Sequence, residues 1–341
     1  MAPTTDRPWL QYYGDHPAEL TIPDQTLYEM LAAAAATWPR HWGLIFMGTR
    51  MTFAALLADV DRCAAALVKA GVARGDSVTL ALPNIPNVIV LFYALNRIGA
   101  RIVMVHPLSS PTEVAHYLNE TGSTFAVTVD MFYGRFASIL DKTPVKRLLI
   151  TRVSDYLPRV AAIGFALTRG RKIAPVPTDD PAIVTWRQFM KAAPVPDRYE
   201  RPMDPDDGAV VLFSGGTTAL PKGIELSSAA FNALAVAMTM ISGFTDGQSV
   251  LAILPVFHGF GLGLCIHTAL SVGAHPILVP EFSVKIYIDN LVKHRPSYIA
   301  GVPTLFEALL RDDRFAGVDF SALVGAYCGG DSLTADLKRR V

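Results

Sequence analysis

Four short apolar runs, Ser77 to Leu82, Arg101 to Val105, Thr124 to Val129 and Arg147 to Ile150, are separated by connections long enough to cross a sheet. The first two of these connections carry helical patterns, from about Pro86 to Gly99 and from Pro111 to about Thr121. A strand–helix–strand order cannot be closed by tight turns, so it forces parallel pairing with helices on both faces. Further on, Ser249 to Pro255, Pro276 to Val279 and Tyr298 to Val302 repeat the pattern, with helices from Ser283 to Lys293 and from Pro303 to about Arg311. The predicted class is α/β, built from mostly parallel sheets. Ahead of these units, a helix is predicted from Thr26 to Thr37 and a hairpin about Gly48-Thr49. A helix from Ala54 to Ala70 then stops at Gly71. Residues 1–25, Pro-rich and carrying Trp9, Tyr12 and Tyr13, read as an extended arm on the surface.

Between the apolar run Ala209 to Phe213 and a Ser-started helical pattern at Ser227 lies Phe213-Ser-Gly-Gly-Thr-Thr-Ala-Leu-Pro-Lys-Gly223. Gly215 and Gly216 let the backbone turn its N–H groups inward; Ser214, Thr217 and Thr218 add hydroxyls; Lys222 adds a cation. All of these are donors to an anion, so the loop is a candidate phosphate cradle. It is not a Walker A loop, because Pro221 precedes Lys222 and Gly223 follows it.

The loop resembles the phosphate loop of the adenylate-forming superfamily, departing from it at Ala219, where that family usually has Gly. Leu254-Pro255-Val256-Phe257-His258-Gly259-Phe260-Gly261 is similar to a second family segment in the same order. Gly329-Gly330-Asp331-Ser332-Leu333 looks like its Gly-Gly-Ala-Pro-Leu turn, with Asp331-Ser332 in place of Ala-Pro. Weaker likenesses run through Met51 to Leu56 and Asn96 to Pro107, and Pro8-Trp9-Leu10 is similar to bacterial long-chain fatty-acyl-CoA ligases.

The resemblance implies the large N-terminal domain of such an enzyme, with αβαβα layers and truncated. It divides into one subdomain at about 54–228 and another of about 1–53 plus 229–341, with the C-terminal catalytic-lysine domain absent. It implies ATP-dependent activation of a carboxylic acid, a medium- or long-chain fatty acid, to acyl-AMP and then acyl-CoA. The cofactors implied are ATP, Mg²⁺ and coenzyme A as co-substrate. Ser214, Gly215, Gly216, Thr217, Thr218, Lys222, Gly329, Gly330 and Asp331 would bind the nucleotide. His258 and Lys222 would be catalytic, and His258, Phe260, Val302, Tyr327 and Gly329 would form the substrate pocket. No residue here is assigned as a metal ligand. The fragment is expected to bind nucleotide yet be catalytically impaired; a non-catalytic nucleotide-binding module and an aryl-acid ligase are the alternatives. The Gly-Gly-Asp-Ser turn also admits a plainer role, with Asp331 or Ser332 capping the last helix.

Composition narrows the partners. Net charge is zero, so nothing in the bulk composition points to nucleic acid; the partners that the resemblance implies are a small-molecule carboxylate and ATP. The odd, scattered Cys63, Cys265 and Cys328 fit a reducing cytoplasm. No apolar run reaches membrane-span length. Residues 152–176 differ in character, mixing Val160, Ile163, Phe165 and Leu167 with Arg159, Arg169, Arg171 and Lys172. They read either as a peripheral contact with an inner membrane face or as a packed helix with a solvated basic end. A serine hydrolase is disfavoured, since Leu212 stands where the first Gly of its nucleophile elbow belongs.

Overall fold

The computed structural model describes residues 7–177, 179–191, 200–214 and 221–341. The strands are β1 (Trp42–Phe46), β2 (Thr49–Thr52), β3 (Ser77–Ala81), β4 (Arg101–Met104), β5 (Phe125–Val129), β6 (Arg147–Thr151) and β7 (Ile183–Thr185). They continue as β8 (Gly208–Phe213), β9 (Gly223–Ser227), β10 (Ser249–Ala252), β11 (His275–Leu278), β12 (Tyr298–Gly301) and β13 (Gly325–Cys328). A seven-stranded sheet has the order β7-β6-β5-β3-β4-β8-β9, and a six-stranded sheet the order β13-β12-β10-β11-β1-β2. Pairing is parallel except at the β1/β2 and β8/β9 hairpins. The expected mostly parallel α/β class is therefore the one observed.

One helix explains why the sheets stay together. All twelve residues of Pro86–Arg97 are buried, as expected of a helix that is apolar around its whole circumference. It shares one apolar cluster with Leu80 and Ile102 of the first sheet and Val250, Ala252 and Leu278 of the second. Its Tyr93 begins a buried polar chain: the hydroxyl lies 3.1 Å from His267 Nδ1, His267 Nε2 lies 2.9 Å from Asn232 Oδ1, and Asn232 Nδ2 donates to Gln25 O at 2.7 Å. An amide oxygen opposite Nε2 makes that nitrogen the donor and leaves Nδ1 to accept from Tyr93. His267 is thus satisfied as the neutral ring.

Local chemistry sets the remaining boundaries. Thr26 with Glu29 and Ser110 with Glu113 form reciprocal capping boxes. The β1–β2 turn uses Met47 at φ 44° and Gly48 at φ 95°, two left-handed residues whose twist matches the flanking strands. Two expectations are corrected, for the N-terminal arm and the cap of the last helix, and two segments form elements that were not predicted. The N-terminal arm is not extended where described, since Pro8–Tyr12 forms a 3₁₀ turn. Between Asp180 and Lys191 lie β7 and a short helix, Trp186–Met190, which buries Trp186 and Phe189. The segment after Phe260 is a π-helix, Phe260–Thr268, in which Thr268 Oγ1 donates back to Gly263 O at 2.9 Å. The last helix, Ala335–Arg340, is capped by Thr334. Asp331 Oδ1 instead accepts from the Ser332 N–H, too early in the chain to reach that helix.

Two buried imidazoles should make stability acid-sensitive. Burial lowers His267 to about 3. It lowers His275 to about 4, with His294, Arg50 and His41 adding to the shift. The unfolded chain takes up these protons below about pH 6.5 and the folded state refuses them. The stability is therefore full above that pH and is lost as pH falls toward the folded values, by about 1.4 kcal/mol per pH unit for each ring. Urea titrations across this range should show a falling midpoint, and His267→Gln should flatten the slope.

Candidate functional site

The expected phosphate loop is held at its neck by the β8/β9 hairpin. Phe213 pairs with Gly223, Ser214 N–H donates to Lys222 O at 3.0 Å, and the Ser214 hydroxyl reaches the same oxygen at 3.4 Å. Lys222 is exposed and has no ion-pair partner among the described residues, so its ammonium is free for a ligand. Gly215, Gly216, Thr217, Thr218 and Ala219 lie outside the described residues.

His258 sits in the turn that follows β10. Leu212 of β8, two residues before Ser214, packs against this turn: a Cβ on Gly259 would stand 3.3 Å from Leu212 Cδ1. The neck of the loop and the histidine turn are thereby neighbours. Two residues on, a Cβ on Gly261 would fall 2.3 Å from Pro255 O and 2.6 Å from Leu254 O, closer than any side chain tolerates, so the chain can double back only with glycine there. Desolvation pulls the His258 pKa below its usual value. Near neutrality the ring is therefore mostly uncharged and can donate from one nitrogen while accepting at the other.

Phe260 and the glycine turn are in contact. A Cβ on Gly329 would lie 3.0 Å from the Phe260 ring, and Gly330 has φ 82°, a backbone that favours glycine. Together with Met238, Phe306 and Tyr327 they line a cavity of about 710 Å³. Tyr298 stacks on Tyr327 at 5.6 Å. Val302 is absent from this lining; it stands behind Gly330, 3.3 Å from where a Cβ there would be. His258 and Asp331 also lie off the wall, His258 just before it in sequence and Asp331 exposed.

Two residues that sequence reasoning passed over hold this site. Asn84, 4% exposed, donates from Nδ2 to Ala252 O at 3.0 Å and Leu254 O at 2.9 Å, and its Oδ1 accepts from Val256 N–H at 3.1 Å. His106 lies 4.3 Å from the Phe257 ring, which in turn lies 4.9 Å from His258. Its Nδ1 accepts from Leu108 N–H, and desolvation followed by the proximity of His258 lowers its pKa. The available signal was positional: both residues follow the carboxyl ends of parallel strands, where α/β sheets bind ligands. On this side a second cavity of about 990 Å³ opens, bounded by Asn84, His106, Phe257, Phe165 and Lys293.

The structure thus brings together the neck of a loop with an exposed lysine at a strand end, a histidine turn beside it and a cavity beyond. The chain belongs to the AMP-binding enzyme family, whose model matches residues 31–341. It is 30% identical to a long-chain-fatty-acid–CoA ligase of Bacillus subtilis over 98% of this chain and 61% of that protein. It is 28% identical to one of Escherichia coli over 94% of this chain and 59% of that protein. The chain thus spans about three fifths of the length of these curated relatives. In fold it is similar to the long-chain-fatty-acid–CoA ligase of Archaeoglobus fulgidus, with a TM-score of 0.79 and 21% identity over 94% of this chain and 61% of that one. It is also similar to the N-terminal domain of FACL13 from Mycobacterium tuberculosis, with a TM-score of 0.73 and 21% identity over 93% and 72%. The fold is that of the N-terminal domain of adenylate-forming enzymes.

Asn84→Ala should leave the Leu254 carbonyl and the Val256 N–H buried without partners, Ala252 O keeping the Val279 N–H, a loss of about 2–4 kcal/mol. Urea unfolding measures the loss, and faster hydrogen exchange at the Val256 amide would locate it.

Proposed function

We propose that this chain serves the ATP-dependent activation of a medium- or long-chain fatty acid, first to an acyl-adenylate and then to a coenzyme A thioester. The observation that carries the reading is the packing of Leu212 on Gly259, which sets the neck of the phosphate loop beside the His258 turn. In the first step a carboxylate oxygen forms a bond to the α-phosphorus of ATP and the bond to pyrophosphate breaks. In the second a thiolate takes the acyl group and AMP leaves. Both steps bring anions together, so the site must supply donors before it supplies anything else.

The residues fit a nucleotide. Ser214, the backbone of residues 215–218 and Lys222 would hold the phosphates, while Gly329, Gly330 and Asp331 would border the adenine. Mg²⁺ supplies charge neutralisation of the phosphates when bound. In this reading the ion would be held chiefly by the nucleotide's phosphates. A neutral His258 orients the carboxylate by donating to it without locking it into an ion pair. Phe260, Tyr327 and Gly329 receive the acyl group, with Val302 in support. The two subdomains, about 54–228 and about 1–53 plus 229–341, face each other across this site. The chain spans about three fifths of the named relatives, and in this reading a further lysine needed for turnover lies in the remaining length. Alone, the 341 residues should bind nucleotide but turn over poorly. Cytoplasmic residence on the inner face of a membrane completes the reading.

Pyrophosphate–ATP exchange by the full-length protein, measured with a panel of aliphatic and aryl acids, tests it. Exchange that requires a medium- or long-chain fatty acid and falls about 100-fold or more in Lys222→Ala supports it. Exchange only with aryl acids moves the substrate class, and nucleotide binding without any exchange makes the domain a binding module. Gly329→Val should push the Phe260 ring aside and raise KM for the acid more than for ATP.

A further inference from the structure

The helix Arg159–Leu167 is unusual in burying none of its residues. Val160 is 83% exposed, Ile163 62% and Leu167 56%. At about 100° per residue these three fall on one stripe, whereas Ala161, Phe165, Thr168 and Arg169 fall on the opposite side. That opposite side roofs the second cavity. The segment is also held in a fixed pose. Phe165 and Leu157 pack on the core, Thr49 Oγ1 donates to Tyr156 O, and Arg169 pairs with Glu281 at 2.6 Å. The apolar stripe is thus presented outward by design of its supports and is not left over from loose packing.

Charge surrounds the stripe. Arg159, Arg171 and Lys172 are exposed and have no ion-pair partner among the described residues. Between Arg159 and Lys172 no acidic residue occurs. A protein partner would need carboxylates around an apolar groove, whereas an anionic lipid surface offers both terms everywhere along its face. No helix here is long and apolar enough to cross a membrane, so the contact is peripheral.

We propose that the Arg159–Leu167 helix and the turn after it are an interfacial anchor. Val160, Ile163 and Leu167 enter the acyl boundary of an anionic membrane, while Arg159, Arg171 and Lys172 lie on its headgroups. This deepens the membrane placement in the reading above but does not depend on the reaction. Its ligand is the lipid surface, and its second consequence is that the roof of the larger cavity faces the bilayer.

Cosedimentation of the full chain with vesicles of phosphatidylglycerol and phosphatidylcholine tests the anchor without nucleotide or carboxylate, so failure of the activation reading leaves it untouched. Binding should rise with the anionic fraction and fall with salt. Replacing Val160, Ile163 and Leu167 together with Asp should lower the partition coefficient about tenfold or more. Arg171→Glu and Lys172→Glu should each lower it about fivefold or more. All five positions are exposed, so urea midpoints should stay within experimental error of the parent and report that folding is intact. Absence of binding by the parent chain, or binding that these variants leave unchanged, overturns the proposal. So does a self-associated parent that the triple replacement converts to monomer without any vesicle binding.

Discussion

Everything at the site hangs on one buried carboxamide. Asn84 emerges from the end of β3 in the seven-stranded sheet and satisfies two carbonyls and one amide of the six-stranded sheet, at Ala252, Leu254 and Val256. Ala252 O also accepts from the Val279 N–H, but Leu254 O and Val256 N–H lie past the end of β10, and buried backbone polar groups must find partners somewhere. A side chain with both a donor and an acceptor meets that demand from across the sheet boundary; an apolar one would leave the turn bearing Phe257 and His258 without fixed geometry. The same bonds therefore set the spacing of the sheets and the pose of the histidine.

The neutrality of the site follows from the same crowding. His106 and His258 flank Phe257, and both are drawn below their ordinary pKa, chiefly by desolvation. Two imidazolium rings this close would repel each other and any Arg or Lys nearby. Kept neutral, they leave the task of gathering negative charge to Lys222 and the loop amides. Charge and orientation are supplied by different elements, and Leu212 against Gly259 is the contact that brings them side by side.

Much of the architecture was legible because it rests on local rules. Alternating strand and helix patterns forced parallel sheets, and the apolar run Ala209 to Phe213 became β8. What escaped was set by tertiary partners. The π-helix Phe260–Thr268 is apolar on every side, so no periodicity betrays it. Asn84 looks like an ordinary turn residue until the carbonyls it serves, some 170 positions away, are known. Thr334, not Asp331 or Ser332, caps the last helix because the glycine turn keeps its own polar groups occupied. Val302, expected on the pocket wall, stands against Gly330 and outside the cavity lining.

The place of the first hairpin has a bearing on how the chain is made. β1 lies in the six-stranded sheet, with Ile45 beside Ile277 and Phe46 beside Leu278, yet the whole seven-stranded sheet is encoded between them. During vectorial synthesis the strands from Ser77 to Ser227 can pair as they leave the ribosome, while β1 and β2 must wait for β11. Loop closure over such a distance is slow, and until it happens Ile45 on one face of β1 is without Leu251 and Ile277. The nascent protein thus carries an early adhesive segment whose partner comes late, a natural client for a chaperone that binds short apolar strands.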